Sequence, residues 1–178
     1  QSMKENLLLY YSPHNPVMSN LYLVAISVSD YKNKDYDLKY AVKDGRDFIK
    51  SFDSVHSSYD NVFIDTLFNQ DAVKENLASV ADRLSHSSPG DKIIVFVSGH
   101  GLLDENYTFY FASYDCDFEK PAENGIPYTM IEGLFDNVAA RQRVLLIDAC
   151  HSGEVDKSEA SWTQQTVQAD GARGKVKV

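Results

Sequence analysis

Cysteine is scarce in this chain: Cys116 and Cys150 are the two among 178 residues. Two cysteines make no disulfide framework, so the fold must rest on its core. Long hydrophobic runs are missing as well. None approaches the roughly 20 apolar residues that a bilayer span needs, and no basic stretch followed by a short apolar one marks a secretory signal. Basic charge is in deficit, with 17 Lys and Arg against 26 Asp and Glu and a formal net charge of −9. With no basic stripe carrying interleaved aromatics, nucleic-acid binding is not expected, and the acidity serves solubility or attracts basic substrates. There is no glycine-rich phosphate loop, no Cys/His cluster of the zinc type and no internal repeat. The 43% hydrophobic content is enough for one substantial core, and a single soluble domain is expected.

Several apolar runs then define the organisation. Residues 21–28, Leu-Tyr-Leu-Val-Ala-Ile-Ser-Val, form an almost continuous apolar segment, which is how a strand covered on both faces reads. Further strands are expected at 62–68, 92–98 and 143–149. Between them apolar residues recur at helical spacing: Leu38, Ala41, Val42, Phe48, Ile49 and Phe52 in one segment. A second segment carries Val73, Leu77, Val80, Ala81 and Leu84, with Asn69 as its cap, and a third (129–139) carries Ile131, Leu134, Phe135 and Val138. The alternating Tyr107-Thr108-Phe109-Tyr110-Phe111 suggests a short hairpin or edge ribbon within the polar stretch 101–127. Strands alternating with helices imply right-handed β-α-β crossovers and a mostly parallel sheet with helices on both faces, an α/β architecture.

The flanks differ. Residues 1–20, with Leu7-Leu8-Leu9-Tyr10-Tyr11 among Pro13 and Pro16, read as an arm, of which Gln1-Ser2-Met3 resembles the scar of a cleaved tag. Residues 154–178 are polar and read as a linker or processing segment after a catalytic domain at 21–153.

Two strands end in reactive residues. One closes with Ser98-Gly99-His100-Gly101, the other with Asp148-Ala149-Cys150-His151-Ser152-Gly153. A thiol becomes a nucleophile when a neighbour removes its proton or stabilises its thiolate, and an imidazole does either. Cys150 is the candidate nucleophile and His100 the candidate acid and base. Glycine on both sides of His100 gives the backbone room to approach a substrate.

This pair of motifs, with the histidine fifty residues before the cysteine, resembles the caspase-like cysteine peptidases, and their metacaspase, paracaspase and bacterial branches more than the animal caspases. Animal caspases carry glutamine where Asp148 stands and arginine, glutamine or glycine where His151 stands. The resemblance covers roughly 21–153 and implies a caspase-like three-layer α/β/α sandwich. It also implies an oxyanion hole from the backbone N–H groups of Gly101 and Cys150. In metacaspase-like enzymes an acidic specificity pocket is built from positions that match Asp148, Ser98 and Asp44, the last within Leu38-Lys39-Tyr40-Ala41-Val42-Lys43-Asp44. Two carboxylates hold a substrate Arg or Lys and repel a substrate Asp.

The reading is therefore a cytoplasmic cysteine endopeptidase that cleaves after Arg or Lys and is activated by processing. The alternatives are an Asp-specific caspase-like peptidase and a non-catalytic interaction module of the same fold. The family's small subunit is absent, so a small-subunit chain is the expected partner, with Lys157, Arg173, Lys175 and Lys177 as candidate processing positions. No cofactor is required. Asp115, Asp117, Glu119 and Glu123 could offer oxygen ligands to calcium, which activates some metacaspases, but their spacing is that of a solvated acidic loop. His151 is assigned to orienting the loop, and His14, His56 and His86 to the surface.

Overall fold

A computed structural model describes residues 19–151. The arm up to residue 18, His14, the side chains of Cys150 and His151, and the processing candidates Lys157, Arg173, Lys175 and Lys177 lie outside the described residues. The elements run β1 (Leu21–Ser27), α1 (Ala41–Lys50), β2 (Val62–Phe68), α2 (Leu77–Ser85), β3 (Lys92–Leu103), β4 (Phe109–Phe111), α3 (Pro121–Asn124), β5 (Ile126–Pro127), α4 (Tyr128–Glu132) and β6 (Gln142–His151).

β1, β2, β3 and β6 form the parallel part of the sheet, with β1 between β2 and β3, and β6 on the far side of β3. All seven residues of β1 are buried, because helices cover it on both faces. Alternation divides its side chains between two cores. Tyr22, Val24 and Ile26 join Ile93, Val95 and Val97 of β3 and Leu77, Val80 and Leu84 of α2 in one cluster. On the opposite face α1 lies over the sheet, and Phe48 stacks on Phe96 of β3 with centroids 4.9 Å apart. Each fully buried aliphatic side chain contributes about 1.5–3 kcal/mol, so this central strand is the main anchor of the sandwich.

Some boundaries differ from the sequence expectation. β3 does not end at Ser98 but continues to Leu103, because β4 pairs antiparallel with its last residues while β6 runs alongside as far as His151. The predicted ribbon is this β4, entered through a turn in which Asp104 Oδ1 accepts the N–H groups of Asn106 and Thr108 and Tyr107 takes φ 61°.

The second helix starts at Leu77, after Val73 of the expected stripe, and Asn69 does not cap it. Asn69 sits at φ 51° at the end of β2, where its Oδ1 accepts the N–H groups of Ser29 and Asp30, and two short 3-10 turns fill the gap before α2. Val73, extended between these turns, falls outside the helical stripe. The third expected helix is a single turn, α4, followed by a 3-10 turn at Gly133–Phe135. The extended backbone of Asp136 and the left-handed Asn137 at φ 57° end it.

Candidate active site

The parallel register of β3 and β6 places Ser98 opposite Asp148 and His100 opposite Cys150. The two strand ends singled out by their reactive residues are thus direct neighbours, and four of the candidate residues occupy two rungs of one ladder, separated by the Gly99–Ala149 rung. Gly101 occupies the next rung, opposite His151 on β6 and Phe111 on β4.

His100 is held from two directions. Its backbone N–H donates to the hydroxyl of Tyr31 at 3.1 Å, and its ring Nε2 lies 3.0 Å from the carbonyl oxygen of Tyr36. A carbonyl oxygen can only accept, so the proton on this contact is on Nε2 and the neutral ring keeps its lone pair on Nδ1. Burial pulls the imidazole below its ordinary pKa, and the Tyr36 carbonyl opposes that shift by favouring the protonated ring. Tyr31, 1% exposed, has its phenol pushed well above the ordinary range, chiefly by burial. It serves here as a neutral hydrogen-bond partner.

The glycines that flank His100 lie within β3, and neither is at positive φ. Their role is room for rings. A Cβ on Gly99 would lie 2.8 Å from Phe111 and 3.0 Å from the Tyr31 hydroxyl, and one on Gly101 would lie 2.6 Å from Phe109. The alternating aromatics of β4 pack into the space these glycines leave.

The third member of the acidic set comes from α1. Gly45 meets Ser27 at the end of β1, and Phe48 meets Phe96, so the helix runs back down the strands from the active-site end. Asp44 lies one turn before Phe48 on the same flank, about 6 Å along the axis, and Ser98 lies two residues, about 6.6 Å, beyond Phe96. Asp44 therefore stands at the level of the Ser98–Asp148 rung, on the flank of α1 that faces β3. Ser98 is buried, Asp44 half-buried and Asp148 exposed.

Sequence reasoning missed the groups that hold these residues in place. Tyr40 contributes no side-chain cap to α1. The hydroxyl of Ser29 does so from the end of β1, accepting the Val42 N–H at 2.9 Å. Ser27 Oγ is buried without a hydrogen-bond partner beneath Gly45. The Tyr36 carbonyl was invisible because any residue type supplies one. The single readable signal was Phe118, an aromatic isolated in the charged run Asp115-Cys116-Asp117-Phe118-Glu119-Lys120.

The acidic residues of that run are engaged locally. Asp115 accepts the Ser113 hydroxyl, Asp117 accepts the N–H groups of Glu119 and Lys120, and Glu123 pairs with Lys120 at 3.7 Å. Among the described residues no three His, Cys, Asp or Glu side chains gather as a metal-binding group. Cys116 is buried and its thiol is pushed up to about 12, first by burial and then by Asp115 and Asp117, so it stays protonated and unreactive. His56 and His86 are exposed.

The profile of the caspase domain matches residues 22–176. The chain belongs to the caspase domain family. Its members are cysteine peptidases, hydrolases of the peptide bond, and the α/β sandwich described above is the caspase fold. A crystal structure of protein GSU0716 from Geobacter sulfurreducens resembles this caspase-family chain with a TM-score of 0.54 at 16% identity, a likeness of fold. The match covers 77% of this chain and 52% of that one, so the chain spans about half the length of that structure. No curated protein sequence matches the chain.

Proposed function

We propose that this caspase-family chain is an endopeptidase that cleaves after Arg or Lys, with Cys150 as nucleophile and His100 as acid and base. The observation that carries the reading is the rung His100–Cys150 beside a ring whose Nε2–H is committed to the Tyr36 carbonyl. That tautomer leaves Nδ1 to take the thiol proton. The thiolate attacks the substrate carbonyl, the N–H groups of Gly101 and Cys150 stabilise the oxyanion, and the imidazolium protonates the departing amine. Water then releases the acyl group with the imidazole as base.

Specificity is assigned to Asp148, Asp44 and Ser98. Two carboxylates at one level of the sheet pair with a guanidinium or ammonium and repel a substrate carboxylate. The neighbouring small-subunit chain is assigned to the free side of β6. Among the described residues β6 pairs with β3 alone, and Val144 and Leu146 are 44% and 39% exposed on it. Such an apolar edge favours an added strand. Processing is assigned to Lys157, Arg173, Lys175 or Lys177. A nucleophilic thiol calls for a reducing compartment, and the cytoplasm meets that requirement.

The test is labelling of the chain with a chloromethyl ketone ending in Arg, beside its Asp-ending counterpart, in the wild type and in Cys150→Ala. Stoichiometric labelling by the Arg reagent alone, lost in the variant, is the expected result. Labelling by the Asp reagent would shift the assignment to an Asp-specific peptidase, and no labelling by either would favour the non-catalytic module.

A further inference from the structure

Phe118 contacts three rings at the site, those of Tyr36, Tyr31 and His100. It stacks on Tyr36 with centroids 3.6 Å apart and planes 3° from parallel, and it meets Tyr31 and His100 edge-on at 5.5 Å and 5.4 Å. Tyr31 and His100 complete the group at 5.4 Å. This cluster joins two loops, the one after β1 and the one after β4, and a Lys32 N–H to Tyr114 carbonyl bond of 2.9 Å ties the same loops together.

The Tyr36 carbonyl needs such support. It belongs to a 3-10 turn of three residues, Lys34–Tyr36, too short to be cooperative. Within the turn, Asn33 Oδ1 accepts the Asp35 N–H at 3.2 Å, and Tyr36 N–H and Asp37 N–H donate to the carbonyls of Asn33 and Lys34 at 3.3 Å and 3.2 Å. At its ends it is tied by Tyr31 N–H to Asp37 Oδ1 and by Leu38 N–H to the Ser29 carbonyl, each at 2.7 Å. Between them, the Tyr36 side chain is pinned by the Phe118 ring. The segment carrying Phe118 is itself ordered, because Asp117 Oδ1 accepts the N–H groups of Glu119 and Lys120 and Cys116 N–H donates to the Ser113 carbonyl.

We propose that Phe118 is a positioning residue for His100: by stacking on Tyr36 it holds the carbonyl that accepts Nε2–H and so keeps Nδ1 as the nitrogen with the free lone pair. The inference deepens the peptidase reading and rests on it for its catalytic consequence. Without the stack the carbonyl moves, the proton redistributes between the ring nitrogens, and a fraction of molecules presents an N–H to the thiol where a base is needed. Substrate binding at Asp148 and Asp44 does not involve Phe118, so the loss falls on turnover.

The experiment records long-range 1H–15N correlations of the imidazole rings at pH 8, where burial keeps His100 neutral, with its signals assigned by their loss in His100→Ala. The wild type should show the Nε2–H pattern. Phe118→Ala, and Phe118→Leu, which fills the volume without a stacking face, should show mixed tautomers, while Phe118→Tyr should match the wild type. On an Arg-ending peptide, kcat should fall about tenfold in the Ala and Leu variants with KM within about twofold, and return in the Tyr variant. An unchanged His100 tautomer in Phe118→Leu overturns the proposal, as does a loss carried by KM. A wild type that cleaves no peptide overturns the peptidase reading instead, and the tautomer comparison then decides the clamp by itself.

Discussion

Gly45→Ala tests how tightly α1, and with it Asp44, is held against the sheet. The added Cβ would lie 2.5 Å from Ser27 Oγ, 2.9 Å from the Phe68 ring and 3.3 Å from Ser27 Cβ. Ordinary contact begins near 3.5 Å, so the N-terminal part of α1 must lift by about 1 Å. Overpacking of this size costs about 1–3 kcal/mol, against about 0.5–1 kcal/mol gained from the better helix propensity of alanine. The net lies between about 0 and 2.5 kcal/mol with its centre near 1 kcal/mol of destabilisation, or roughly 2–4 °C in Tm for a domain of this size. Ser27→Ala removes the atom in closest conflict and a buried hydroxyl without a partner, whose desolvation alone costs about 1–3 kcal/mol. That variant alone should be neutral or stabilising, and in the double variant it should recover at least half of the Gly45→Ala loss. Thermal melts and urea titrations of the four proteins give the coupling directly. On the peptidase reading the same 1 Å displacement carries Asp44 out of place and raises KM for Arg-ending peptides. A Gly45→Ala chain that melts with the wild type, or two effects that simply add, would show that the helix is not seated tightly on Ser27 and Phe68.

Cys150→Ala and His100→Ala should each remove peptidase activity by several orders of magnitude while leaving the melting temperature within a few degrees; a clean Cys150→Ala preparation that keeps more than a few per cent of activity would refute the nucleophile. Because burial holds the His100 pKa below its ordinary value of about 6.5, the neutral ring already predominates at that pH, and the acid limb of kcat/KM should have its midpoint lower still. The same sign means that the unfolded chain binds this proton more readily, so the His100 contribution to stability is present above about pH 6.5 and declines as pH falls through the folded value. An acid limb centred above 6.5 would contradict the placement. Asp148→Ala should reduce an Arg-over-Asp preference of at least about a hundredfold by an order of magnitude or more, read from a peptide panel varied only at the residue before the scissile bond. Leu146→Lys on the free side of β6 should weaken strand pairing, so light scattering should find less self-association, or less capture of a small-subunit chain, than in the wild type; equal masses and equal capture would speak against that edge as the docking side.

The sequence by itself determined the strands of the sheet and the two motifs that meet on it. A strand covered on both faces must be apolar at every position, which made residues 21–28 legible; 92–98 and 143–149 show the same apolar run, although Val144 and Leu146 of the latter are exposed, and right-handed crossovers follow once helices alternate with such strands. His100 and Cys150 were readable because chemistry restricts the residue types that can serve and because each stands at the end of a run of that kind. Helix limits were less legible: Asn69 has the composition of a cap, but its side chain is drawn to the N–H groups of Ser29 and Asp30, forty positions away in the chain. The third helix stops at a break that apolar spacing does not register. Only the tertiary structure decided which imidazole nitrogen carries the proton, because the deciding acceptor is a backbone carbonyl, at Tyr36, that every residue possesses. It also decided that Ser29 caps α1, that Gly45 packs on Ser27, and that Phe118 closes the cluster around His100. Each of these is a relation between distant segments, fixed by packing and strand register, and none leaves a local pattern in the chain.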